Sequence, residues 1–85
     1  MKQHIPPAFI NFAAQLKRRR KMLGLSQEAL ALVADVDRTF VSQIERGIGN
    51  PSLLIMTRLA AALEIDLYRL LQPEHISDTD DEFTL

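Results

Sequence analysis

The side chains in this 85-residue sequence that can do chemistry divide into those able to carry a reaction and those able to recognise a surface. For a reaction the supply is thin. The only histidines, His4 and His75, lie in segments expected to be flexible, cysteine is absent, and no nucleophile has a plausible base beside it. Neither a metal-ligand cluster nor a phosphate-cradling glycine loop is spelled out, so no enzyme activity, cofactor or metal is expected. For recognition the supply is concentrated between Arg38 and Arg46. Val41 and Ile44 would seat a helix there on a core, leaving Arg38, Thr39, Ser42, Gln43 and Arg46 on the outward side. Guanidinium forks, a carboxamide and hydroxyls on one helix edge suit multi-point hydrogen bonding to a partner. Phe40 either packs inward or presents its ring outward, and at least partial packing is the favoured reading.

Such an edge needs elements that hold it at a fixed tilt. After Pro6-Pro7, the residues Phe9, Phe12, Ala13, Leu16, Arg20 and Leu23 recur at helical spacing and predict a first helix over about 7–23, ended by Gly24. Ser26 is a natural N-cap, and Leu30, Ala31 and Ala34 mark the buried side of a second helix over about 26–34. A turn at Asp35-Val36 leads to a second cap, Asp37, and a third helix over about 37–46 that stops at Gly47. Ile48-Gly49-Asn50-Pro51 reads as a loop, and Ser52 caps a fourth helix over about 52–64 with Leu53, Met56, Leu59, Ala60 and Leu63 as its apolar face. Asp66 is expected to cap a last helix over about 66–72, terminated by Pro73. Residues 1–73 thus form one all-α domain, and residues 74–85, with five acidic side chains in twelve and no helical stripe, read as an acidic flexible tail.

The composition, 47% hydrophobic and 25% charged, is that of a folding chain rather than a disordered one. A core this small supplies only a few kcal/mol, and without cysteine the remaining reinforcement is oligomerisation. No run of 18 apolar residues and no signal-peptide core is found, which points to a cytoplasmic protein with no membrane partner. The net charge of −1 hides a strong segregation. Residues 1–46 carry eight Lys/Arg against four Asp/Glu, whereas residues 47–85 carry two against seven. That asymmetry hints at a nucleic-acid surface in the front half, although a solvated helix face beside an acidic tail would produce it too.

The twenty residues Gln27 to Arg46 have the length of a helix-turn-helix. Here the sequence resembles the family of phage repressors, Cro proteins and related XRE-type bacterial regulators. The likeness rests on Leu23-Gly24-Leu25-Ser26-Gln27-Glu28-Ala29-Leu30-Ala31, on Val41-Ser42-Gln43-Ile44-Glu45-Arg46-Gly47 and on Asn50-Pro51-Ser52-Leu53, and spans roughly Phe12 to Leu71. The resemblance implies a five-helix lambda-repressor-like DNA-binding domain, with the motif formed by helices two and three. It implies a transcription regulator, acting at the nucleoid, that binds a double-stranded DNA operator as a homodimer with the third helix in the major groove.

On that reading Arg38 would pair with guanine O6 and N7, Gln43 with adenine N6 and N7, and Thr39 with a base edge or thymine methyl; Ser42 is a further base-reading candidate. Gln27, Arg46, Asn50, Lys17 and Arg18 would meet phosphates, although the run Lys17 to Lys21 goes right round a helix and cannot all face one duplex. Ala31 would be small because the third helix crosses the second there. The resemblance further places Arg20 in a structural salt bridge with Glu45.

Two departures stand out. Asp35 occupies the usual turn glycine, a conformation Asp tolerates better than most residues. Leu32 and Val33 replace polar residues on the second helix, leaving an apolar patch for an N-terminal arm or a partner. Ile65, Leu67, Tyr68 and Leu71 are expected at the dimer interface, with closure of the monomer core as the alternative. Asp37-Arg38-Thr39-Phe40-Val41-Ser42 most resembles the reading helix of restriction–modification controller proteins. An acidic patch is also a candidate contact for RNA polymerase. The rival is a protein-interaction adaptor or antitoxin on the same scaffold.

Overall fold

The structure, a computed structural model, describes residues 5–73. Among these it has five helices and no strand: α1 (Pro7–Met22), α2 (Gln27–Ala34), α3 (Arg38–Glu45), α4 (Leu53–Ala62) and α5 (Leu67–Leu70). The expected acidic tail and both histidines lie outside the described residues.

Local chemistry explains where the helices begin. The Oγ of Ser26 accepts the Ala29 N–H at 2.9 Å, Asp37 Oδ1 accepts from Thr39 at 3.2 Å, and Ser52 Oγ accepts from Ile55 at 3.2 Å. Each satisfies one of the donors that a helix start leaves without an intrahelical partner. Asp66 stands at the same position before α5 but makes no capping bond. That helix is a single turn, shorter than the expected 66–72. Leu71 and Gln72 continue only through tighter bonds to the carbonyls of Tyr68 and Arg69, and Pro73 bars Gln72 from helical geometry.

The first four helices end alike. One residue enters the left-handed region, and the next N–H reaches back five residues: Leu25 to Arg20, Val36 to Ala31, Ile48 to Gln43 and Ile65 to Ala60. Glycine takes the strained position after α1 and α3, as Gly24 and Gly47, whereas Asp35 and Glu64 take it after α2 and α4.

All five helices contribute fully buried side chains: Phe12 and Leu16 from α1, Leu30 from α2, Val41 and Ile44 from α3, Leu59 from α4 and Leu70 from α5; Leu63, just after α4, completes the core. Burial of each such side chain is worth about 1.5–3 kcal/mol. Around this core α2 packs on α3 and α4, while α1 packs on α3 and α5. Ala31 and Ala34 are buried on α2, the helix most extensively packed against α3, so small side chains let the two axes approach. A polar ladder at one-turn intervals along α1 secures the C-terminal segment. Asn11 donates to the Leu71 carbonyl, Gln15 to those of Gln72 and Pro73, and Arg19 to those of Leu63 and Glu64. These bonds satisfy carbonyls that the ends of α4 and α5 leave open.

Candidate nucleic-acid interface

The residues of α3 and its C-cap, Arg46, divide by helical phase. At 100° per residue, Arg38, Thr39, Ser42, Gln43 and Arg46 fall within an arc of about 140°, while Val41 and Ile44 lie on the other side. Burial follows that division: Val41 and Ile44 are fully buried, Arg38, Thr39 and Arg46 are exposed, and Ser42 and Gln43 are half-buried. Phe40 sits at the boundary of the arc and is itself half-buried. Gln43 lies along the loop after α3, where Gly49, at φ +96°, is so near that a Cβ at that position would stand 3.4 Å from the Gln43 side chain. Asn50 is exposed in the same loop.

The far end of α3 is held by charge. Arg20, from α1, forks onto the Glu45 carboxylate, with Nε 2.6 Å from Oε2 and Nη2 2.9 Å from Oε1. Its remaining Nη1 donates to the Leu25 carbonyl at 2.8 Å. The two side chains are only 10% and 2% exposed, so this is a buried, bidentate pair. Sequence reasoning missed a third member. Gln27, the first residue of α2, donates from Nε2 to Glu45 Oε1 at 3.0 Å. Burial by itself would push the Glu45 carboxyl up, but the hydrogen bonds from Arg20 and Gln27, with the positive charges of Arg20 and Lys17, outweigh it and hold the group below its ordinary range. Arg20 is correspondingly raised, chiefly through its hydrogen bond to Glu45.

The basic run is split by the fold. Lys17, Arg18 and Lys21 are exposed, whereas Arg19 and Arg20 are drawn into structural bonds. Of the four residues assigned to a dimer interface, Ile65, Leu67 and Leu71 pack against the monomer's own core, and only Tyr68, 60% exposed, is largely outside it. Leu32 and Val33 remain 81% and 62% exposed on α2. The described N-terminal residues do not cover them, since Ile5 and Pro6 instead wall a groove of about 660 Å³ with Phe9, Ile48, Met56 and Leu71. Among the described residues no titratable side chain lines that groove. Among the described residues there is no group of metal-ligating side chains, and no helix is long and apolar enough to cross a membrane.

A capped helix, a left-handed turn at Asp35 and a second capped helix with a polar outward arc together define a helix-turn-helix. Residues 16–70 match the helix-turn-helix family profile, and the chain belongs to that family, in its XRE-type branch of DNA-binding transcription regulators. It is 44% identical over 62 residues to the control protein C.MunI of Mycoplasma sp, covering 72% of this chain and 84% of that one. The crystal structure of the restriction–modification controller protein C.AhdI from Aeromonas hydrophila superposes with a TM-score of 0.69 at 41% identity, over 75% of this chain and 96% of that chain. The biofilm regulator SinR, solved in complex with DNA, gives 0.68 at 32% identity, over 72% and 98%. These relatives are regulators rather than enzymes.

Proposed function

We propose that this chain regulates transcription by binding double-stranded operator DNA as a two-fold homodimer, with α3 of each subunit in the major groove. The observation that carries the reading is the outward arc of α3: five polar residues presented together by a helix whose opposite side is fully buried. Arg38 and Thr39, at the exposed N-terminal end, are the first base readers, with Gln43 and Ser42 behind them. Arg46 at the end of that arc, with Asn50, Gln27 and the exposed Lys17 and Arg18, are the proposed phosphate partners. Support comes from SinR, which was crystallised on DNA, and from the restriction–modification controllers, whose genes suggest the class of target regulated here.

A single motif reads too little sequence for a genome, which argues for paired half-sites about 34 Å apart. Tyr68, exposed on α5 and flanked by the partly buried Ile65, Leu67 and Leu71, is the proposed centre of the subunit contact. On this reading the protein acts in the cytoplasm at the nucleoid.

Selection from a random duplex pool, followed by gel shifts at two salt concentrations, tests the proposal. The expected result is a recovered two-fold site whose affinity falls steeply as salt rises, because released counterions drive phosphate binding. Failure to retard any duplex at low salt would instead favour the adaptor use of the scaffold.

A further inference from the structure

We propose that Glu45 is a positioning residue for phosphate recognition: from the buried end of α3 it orients the Gln27 carboxamide at the start of α2. The inference rests on the DNA-binding reading and goes beyond the Arg20–Glu45 pair as a structural tie. A carboxylate only accepts hydrogen bonds, so Gln27 must turn its NH₂ toward Glu45 Oε1, 3.0 Å away. That contact fixes which way the carboxamide faces and leaves its second N–H as a directed donor. Arg20 in turn holds the carboxylate by two bonds, so the acceptor cannot swing to follow Gln27. The result is a relay from α1 through α3 to α2. Its last member stands beside the first-turn N–H groups of α2, which precede the first intrahelical bond, from Leu30 to the Ser26 carbonyl.

An exposed glutamine must be immobilised when it meets a phosphate, whereas one already held has less freedom to lose. Pre-ordering one such side chain strengthens binding by about three- to tenfold for each half-site. Because the contact is to the DNA backbone, the gain is the same for every sequence.

The test replaces the ion pair without stranding a charge. Arg20→Met/Glu45→Met leaves net charge and long-range attraction to DNA unchanged, and apolar replacement of a buried pair is often neutral for stability. After a thermal melt confirms folding, anisotropy titrations compare a duplex recovered from the random pool with an unrelated duplex of equal length. The paired variant should weaken both by about three- to tenfold per half-site, and adding Gln27→Ala should then cost far less than it does in the parent. Unchanged affinity, or the same Gln27→Ala loss in both backgrounds, would overturn the proposal.

If the paired variant does not fold, side-chain relaxation of the Gln27 NH₂ in the parent decides. An order parameter above about 0.6 is expected, and a lower one rejects the relay. A parent that binds no duplex at low salt sinks the DNA reading itself, and this proposal with it, whatever the Gln27 relaxation shows.

Discussion

The two ends of α3 differ more than the eight-residue length of the helix suggests. At the C-terminal end the Glu45 side chain is 2% exposed and its carboxylate takes three N–H donors from two other helices. At the N-terminal end Arg38 and Thr39 are exposed, and the first turn is closed by backbone N–H groups alone, with Thr39 donating to the Asp37 carboxylate and Phe40 to the Asp37 carbonyl. One end fixes the tilt of the rod and the other keeps its donors available for a partner. A recognition helix needs both conditions, because donors on an unanchored helix would have to be ordered at the moment of binding.

The largest effect should come from breaking the anchored end. Glu45→Ala leaves the Arg20 guanidinium buried without its counter-charge and should destabilise the fold by about 3–5 kcal/mol in urea unfolding, whereas Arg20→Met/Glu45→Met should recover most of that loss. The double variant unfolding as readily as the single one would show that the anchor works by packing alone. Acid should attack the same point. The Glu45 carboxyl is held below its ordinary value of 4.5, so its contribution is complete above that pH and fades as the pH falls through the lower folded value. The pH dependence of unfolding should therefore flatten below about pH 4.5 in the double variant relative to the parent.

Breaking the exposed end should leave stability alone. Arg38→Ala should shift unfolding by less than about 0.5 kcal/mol, as for surface positions generally. It should also lower discrimination at one base position by about 1–3 kcal/mol. Equal losses on all sequences would reassign Arg38 to the phosphates and remove the contrast between the two ends.

What could be read from the residues follows the range of the interactions. The caps at Ser26, Asp37 and Ser52 and the outward arc of α3 are local or periodic, and were legible. The Arg20–Glu45 pair spans 25 residues and was reached only through the family likeness. Gln27 lies 18 residues from Glu45, and neither spacing nor residue type announces their bond. The Asn11, Gln15 and Arg19 ladder ends on backbone carbonyls, which have no signature in a sequence. Apolar character alone could not separate Tyr68, left outside the monomer core, from Ile65, Leu67 and Leu71, which pack against it.

The smallest expected effect separates anchoring from stability in general. Glu64 holds a left-handed conformation, φ 57°, after α4, on an element that supplies none of the proposed DNA contacts. Glu64→Gly relieves that strain while giving the unfolded chain more freedom, for a net gain of about 0.5–1 kcal/mol in urea unfolding. Its backbone carbonyl, which accepts from Arg19, is retained. If the anchored end of α3 matters through geometry, this gain should leave DNA affinity unchanged within twofold, because nothing at Glu45, Gln27 or Arg38 has moved. An affinity that rises in step with stability would mean that the two ends of α3 are not distinguished by what each fixes, and that any firmer fold binds better.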